Sequence, residues 1–230
     1  MIIKGLSKLT LLDYPERVAC TMFTGGCNMR CPFCHNASLV LRAGEIDTIS
    51  EEEIFSFLKK RNGVLDGVCI TGGEPMLSAD LEDFIGKIKS LGYAVKLDTN
   101  GTFPERLRAM IDAGLVDKVA VDIKNSPEKY AMTVGIKDFD LTPIMKTVDL
   151  LREGRVDYEL RTTVVAELHE ADDFESIGRW IAGAKAYYLQ SFVDSGDTIK
   201  NGFSSPSKEL LEACKSVVKQ YVENTHIRGT

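Results

Sequence analysis

The chain has 230 residues, 44% hydrophobic and 27% charged, which excludes the disordered and fibrous classes. A formal charge of −6 argues against a partner bound through nucleic-acid phosphates and gives no support for an anionic membrane surface. No apolar run nears the roughly 18–20 residues that cross a bilayer, and the N-terminus lacks the pattern of a cleaved leader, so a cytoplasmic single domain over 1–230 is expected.

Short β-branched runs alternate with helical stretches. A strand is expected over Val18–Phe23, followed by a loop rich in glycine and cysteine. Ser50 and Glu53 form a capping box ahead of the helix IFSFLKK, and the acidic run Glu51–Glu53 reads as favourable first-turn charge. Strands follow at Gly67–Thr71, Tyr93–Asp98, Lys118–Ile123, Tyr158–Val165 and Ala186–Gln190. Between and after them helices are expected at about Ala79–Ser90, Pro104–Ala113, within Leu141–Glu153, Phe174–Ala182 and Pro206–Val222. Such alternation implies right-handed βαβ units and a parallel sheet. Six strands are too few for the closed eight-stranded barrel, so a partial, open parallel (β/α)6 barrel is expected. In such folds the site lies beyond the carboxyl ends of the strands, where TGGE, DTNG and DIKN fall.

Of six cysteines, Cys27, Cys31 and Cys34 cluster in a C-x3-C-x2-C loop, while Cys20, Cys69 and Cys214 sit singly in apolar settings and read as buried small hydrophobes. Three thiolates on one loop can wrap a soft metal centre. Structural zinc needs a fourth ligand. His35 abuts Cys34 and is poorly placed to close a tetrahedron, and spacing brings neither His169 nor His226 near; His169 reads as a solvated loop residue. Three thiolates without an evident fourth suit an iron–sulfur cube with one iron open, and zinc remains the competing reading.

The loop, with Phe33 before its last cysteine, resembles the signature of the radical S-adenosylmethionine superfamily, and Gly72-Gly73-Glu74-Pro75 resembles its GGE motif. The string DYPERVACTMFTGGCNMRCPFCHN, with DTNG and VDIK downstream, is similar to the anaerobic ribonucleoside-triphosphate reductase activating proteins, a branch of the glycyl-radical-enzyme activases. The resemblance runs from about Leu11 to Val165. It implies a radical SAM oxidoreductase carrying a [4Fe–4S] cluster on Cys27, Cys31 and Cys34. That cluster reductively cleaves S-adenosylmethionine to abstract a hydrogen from a glycine of an anaerobic partner enzyme. It also implies a flavodoxin- or ferredoxin-type reductant.

By the same resemblance Phe33 lies near adenine, and Gly72 and Gly73 let backbone approach the cofactor. Glu74 accepts from the methionine ammonium, while Lys124 and Arg161 meet the methionine carboxylate. Asp98, also a cofactor-side residue, joins Thr99 and Asp122 in a monovalent cation site. Simpler readings stand beside these. TGGEP is also a plain strand-to-helix turn, Asp98–Gly101 an Asx-type turn, and Lys124 or Arg161 a partner for a surface carboxylate. Glu16 stands where the family usually carries glycine, and YYLQSF lacks a histidine that some activases place there for ribose. Two other functions remain open. One is a radical enzyme acting on a small metabolite, similar to 7-carboxy-7-deazaguanine synthase but differing after the last cysteine, where His35-Asn36 stands. The other is a cluster-bearing electron carrier or zinc-stabilised binding module.

Overall fold

The computed structural model describes residues 1–229. One sheet of eight strands runs in chain order: β1 (Ile3–Thr10), β2 (Ala19–Thr24), β3 (Gly67–Gly72), β4 (Ala94–Thr99), β5 (Lys118–Asp122), β6 (Asp157–Val164), β7 (Tyr187–Ser191) and β8 (Thr225–Arg228). From β2 onward each strand pairs parallel with the next, whereas β1 pairs antiparallel with β2. Among the described residues β1 and β8 do not pair with each other, so the sheet stays open.

The expected six strands form the centre, and two more extend the edges. Sequence pattern misses both for physical reasons. In β1 most side chains are half-buried rather than alternating, and β8 is four largely polar residues held by the neighbouring β7. The central strands β2 and β3 are buried on both faces, which is why ACTMFT and GVCITG carry no alternation.

Helices α2 (Glu51–Lys60), α3 (Leu81–Ser90), α4 (Pro104–Asp112), α6 (Thr142–Arg152), α7 (Asp173–Trp180) and α8 (Lys208–Val218) follow the apolar periodicity. With the sheet they form one continuous apolar core that takes in Ile54, Phe84, Leu107, Val148, Ile177 and Leu211. Ser50 caps α2 by accepting from Glu53 N–H at 3.1 Å. Two short helices, α1 (Ala37–Leu41) and α5 (Tyr130–Val134), are too brief to show periodicity and flank the cysteine loop. Cys20, Cys69 and Cys214 are fully buried.

Glu16 takes a φ of +70°, the left-handed conformation that glycine favours, so the departure from the family pattern sits where it costs backbone strain. His169 corrects an expectation. It is not solvated but 1% exposed, with Nε2 2.9 Å from the Lys124 carbonyl and Nδ1 accepting from Val165 N–H at 3.1 Å. The turn after β6 tucks it under the loop that carries Lys124, which the sequence around it, rich in charge, does not reveal.

Candidate active site

The turns beyond β2 to β7 surround a cavity of about 210 Å³. Its wall includes all three clustered cysteines together with Phe33, Gly72, Gly73, Asp98, Thr99, Asp122, Lys124 and Arg161. Every expected site residue is therefore gathered there except Glu74.

The cysteine loop is held from several sides. Gly26 N–H donates to the Leu39 carbonyl at 2.8 Å, and Arg30 N–H donates to the carbonyl of Val134 in α5 at 2.9 Å. Lys200 N–H, from the long β7–α8 connection, donates to the Pro32 carbonyl at 2.9 Å. Asn36 Nδ2 donates to the Gly72 carbonyl at 3.0 Å, which gives the asparagine after Cys34-His35 a physical role. Phe33 is buried edge-on against Phe192 and Phe203, and the His35 ring stacks on Phe192 with centroids 4.9 Å apart.

The glycine pair is explained by contact within the chain. A Cβ on Gly72, whose φ is +117°, would sit 2.3 Å from Thr24 N, and one on Gly73 would sit 1.8 Å from the Gly26 carbonyl oxygen. That closeness lets Gly73 N–H donate to Thr24 O at 2.9 Å and Glu74 N–H to Gly26 O at 2.8 Å. The end of β3 thus grips the start of the cysteine loop.

Glu74 lies behind the wall, 1% exposed. Its carboxylate accepts from Met76 N–H (3.0 Å), Thr99 Oγ1 (2.8 Å) and Asn100 N–H (2.7 Å). Burial nevertheless pushes its pKa up to about 7. The Asx turn lies two residues later than Asp98–Gly101, since Asn100 Oδ1 accepts from Thr102 N–H at 3.1 Å. Thr99 Oγ1 accepts from Gly101 N–H at 3.1 Å, while Asp98 pairs with Arg161 and Lys96.

The floor of the cavity is charged. Arg161 Nη1 is 2.9 Å from Asp98 Oδ2, and its Nε donates to Asp122. Lys124 Nζ donates to Asp122 Oδ2 at 2.9 Å, and Lys96 pairs with Asp98 from below. Register explains the set, since Asp122 lies opposite Arg161 across the β5–β6 pair. Against the cost of burial, Arg161 and Lys96 lower the pKa of Asp98, and Arg161 and Lys124 hold Asp122 well below the usual carboxylate range. Asp98 and Asp122 are therefore joined through side-chain cations rather than left open, and Thr99 turns to Glu74. Lys96 also lies 3.8 Å from Glu159 Oε1 and is not part of the cavity wall. The two cations that line the cavity, Lys124 and Arg161, are matched by Asp98 and Asp122 and offer N–H donors to an anionic ligand group.

Burial pushes the thiols up, Cys31 to about 12, so in the free protein they hold their protons and a bound metal centre must displace them. Among the described residues, no three Cys, His, Asp or Glu side chains converge on one ion-sized position. Sequence reasoning passed over Asn100, Thr163 and Gln190 in this wall. Each lies at or just beyond the carboxyl end of a strand, which was the one signal available.

An open, mostly parallel α/β barrel with three cysteines and a GGE turn at the carboxyl ends of its strands has the form of a radical S-adenosylmethionine enzyme. The Radical SAM superfamily pattern matches residues 21–181, and the chain belongs to that superfamily. It is 33% identical to a Methanocaldococcus jannaschii protein provisionally named a glycyl-radical enzyme activating enzyme, over 99% of this chain and 95% of that one. It is 26% identical to the pyruvate formate-lyase 1-activating enzyme of Escherichia coli K12, over 86% and 87%. In fold it is similar to Streptococcus suis SuiB solved with its precursor peptide SuiA, with a TM-score of 0.71 at 12% identity. That likeness covers 91% of this chain and 48% of SuiB. The protein is thus a radical SAM enzyme whose cofactors are a [4Fe–4S] cluster and S-adenosylmethionine. The donor set fits them, with three free thiols and the side chains of Lys124 and Arg161 on one cavity.

Proposed function

We propose that the protein activates a glycyl radical enzyme, the anaerobic ribonucleoside-triphosphate reductase. The observation that carries the reading is the convergence of Cys27, Cys31 and Cys34 with Lys124 and Arg161 on one cavity. The near full-length similarity to a protein named as a glycyl-radical enzyme activating enzyme supports it.

Cys27, Cys31 and Cys34 hold the cluster, and Lys124 and Arg161 attract the methionine carboxylate. When bound, the two cofactors supply a 5′-deoxyadenosyl radical that takes a hydrogen atom from the partner's glycine Cα. Phe33 and Gly72–Gly73 shape the wall against which the cofactor lies, and Glu74 acts from behind by fixing Thr99 and Asn100. A second hollow of about 190 Å³ shares His35, Thr163 and Gln190 with the cavity and continues to Ser191 and Arg228. A glycine-bearing segment of the partner reaches the cavity along it, and a flavodoxin- or ferredoxin-type protein delivers the electron.

The test is electron paramagnetic resonance of the anaerobic protein mixed with dithionite, S-adenosylmethionine and the reductase. A glycyl doublet, lost on glycine-to-alanine substitution in the partner, is the expected result. Rapid turnover of a small molecule with no doublet would overturn the activase reading.

A further inference from the structure

The turn after β4 is tied to the cysteine loop through one amide. Asn100 Oδ1 accepts from both Thr102 N–H (3.1 Å) and Thr102 Oγ1 (2.7 Å). A backbone N–H only donates, so the carbonyl end of this amide is fixed on Thr102 and its NH₂ end faces the opposite way. There Nδ2 donates to Asn28 Oδ1 at 2.7 Å and lies 3.9 Å from Cys27 Sγ. Asn28 Nδ2 donates in turn to Thr102 Oγ1 at 2.8 Å, closing a ring of three side chains. Glu74 holds the Asn100 backbone N–H at 2.7 Å, so the residue is pinned at both ends. A second donor, Met29 N–H, lies 3.4 Å from the same sulfur.

We infer that Asn100 is a positioning residue that aims an N–H dipole at the Cys27 sulfur and thereby raises the reduction potential of the cluster held there. The inference rests on Cys27 being a cluster ligand. Reduction adds one electron, part of whose charge spreads onto the cysteine sulfurs. A donor aimed at such a sulfur stabilises the more negative state, as hydrogen bonds to sulfur do in iron–sulfur proteins generally. The electron comes from the external reductant, and no covalent bond in the protein forms or breaks. The ring also accounts for the buried Glu74. Its carboxylate does not itself line the cavity, but it fixes the residue that faces Cys27.

The experiment is a dithionite titration of the anaerobically reconstituted protein, followed by electron paramagnetic resonance, with Asn100→Ala and Asn100→Asp. The aspartate keeps the acceptor for Thr102 and replaces the donor facing Cys27. Both variants should retain the parent's iron. At the potential that half-reduces the parent, both should show several-fold less reduced cluster, with the larger deficit in Asn100→Asp. Unchanged potentials in both loaded variants would overturn the inference. So would loss of iron from both while the parent loads fully, because Asn100 would then be a structural support only. A parent that takes up no iron would instead overturn the cluster assignment itself.

Discussion

Asp197 and Ser38, separated by 159 positions, meet at the start of α1, where Asp197 Oδ2 accepts from Ser38 N–H at 3.1 Å and from Ser38 Oγ at 2.6 Å. Asn36, at the N-cap position of α1, makes no side-chain cap of its own, so the cap is supplied from the β7–α8 connection. Because α1 follows Cys34 by two residues, the contact also steadies the end of the cysteine loop. Asp197→Ala should cost about 1 kcal/mol in urea unfolding, as loss of a helix cap does. Iron release to a chelator should be faster than in the parent. An unchanged release rate would show that α1 holds the loop without this contact.

Gly73→Ala should be among the most damaging single changes, because its Cβ would fall 1.8 Å from the Gly26 carbonyl oxygen and neither backbone can yield without breaking the grip on the cysteine loop. A loss on the order of several kcal/mol is expected from such overpacking against backbone. Circular dichroism on heating and iron content after reconstitution both read it. Normal iron uptake with unchanged melting would contradict the described contact.

Cys31→Ala should abolish cluster assembly, whereas Cys214→Ala, in α8 and away from the cavity, should keep iron while losing roughly 1 kcal/mol of stability through a small buried void. Iron and sulfide analysis separates the two. Full retention in Cys31→Ala would remove this loop from the cluster.

Lys124→Met keeps the length of the side chain and removes the charge. It should leave the cluster in place and weaken S-adenosylmethionine binding by ~1.5–3 kcal/mol, the range for hydrogen bonds to charged groups. Anaerobic titration of the loaded protein measures it. Unchanged affinity would reduce Lys124 to a partner of Asp122 alone.

Glu74 predicts a pH effect on the apo-protein. Its pKa rises from an ordinary 4.5 to about 7 in the folded state, so the fold favours the protonated form. The contribution is fully present below about pH 4.5 and is lost as pH rises to about 7. Stability from this residue therefore falls across that window, by on the order of 3 kcal/mol at most. Glu74→Gln, which does not titrate, should flatten that part of the profile in urea unfolding at several pH values. An identical slope in both proteins would show that the three donors keep the carboxylate ionised throughout.

The sequence alone determined the parallel α/β barrel, the clustering of polar strand ends and the cysteine loop, because these rest on periodicity and on residues adjacent in the chain. Val68 to Thr71 and Val119 to Val121 read as strands since β-branched runs between helices have few other folds. The edge strands Ile3–Thr10 and Thr225–Arg228 were not legible, because each depends on a partner strand rather than on its own pattern. Tertiary structure alone decided that Gly72 and Gly73 grip the cysteine loop, that Glu74 faces Asn100, and that His169 is buried beneath Lys124. It also decided that Asp98 and Asp122 share Arg161. Those relationships join residues tens of positions apart, and only the register of neighbouring strands and the closeness of their terminal turns bring such groups within hydrogen-bonding distance.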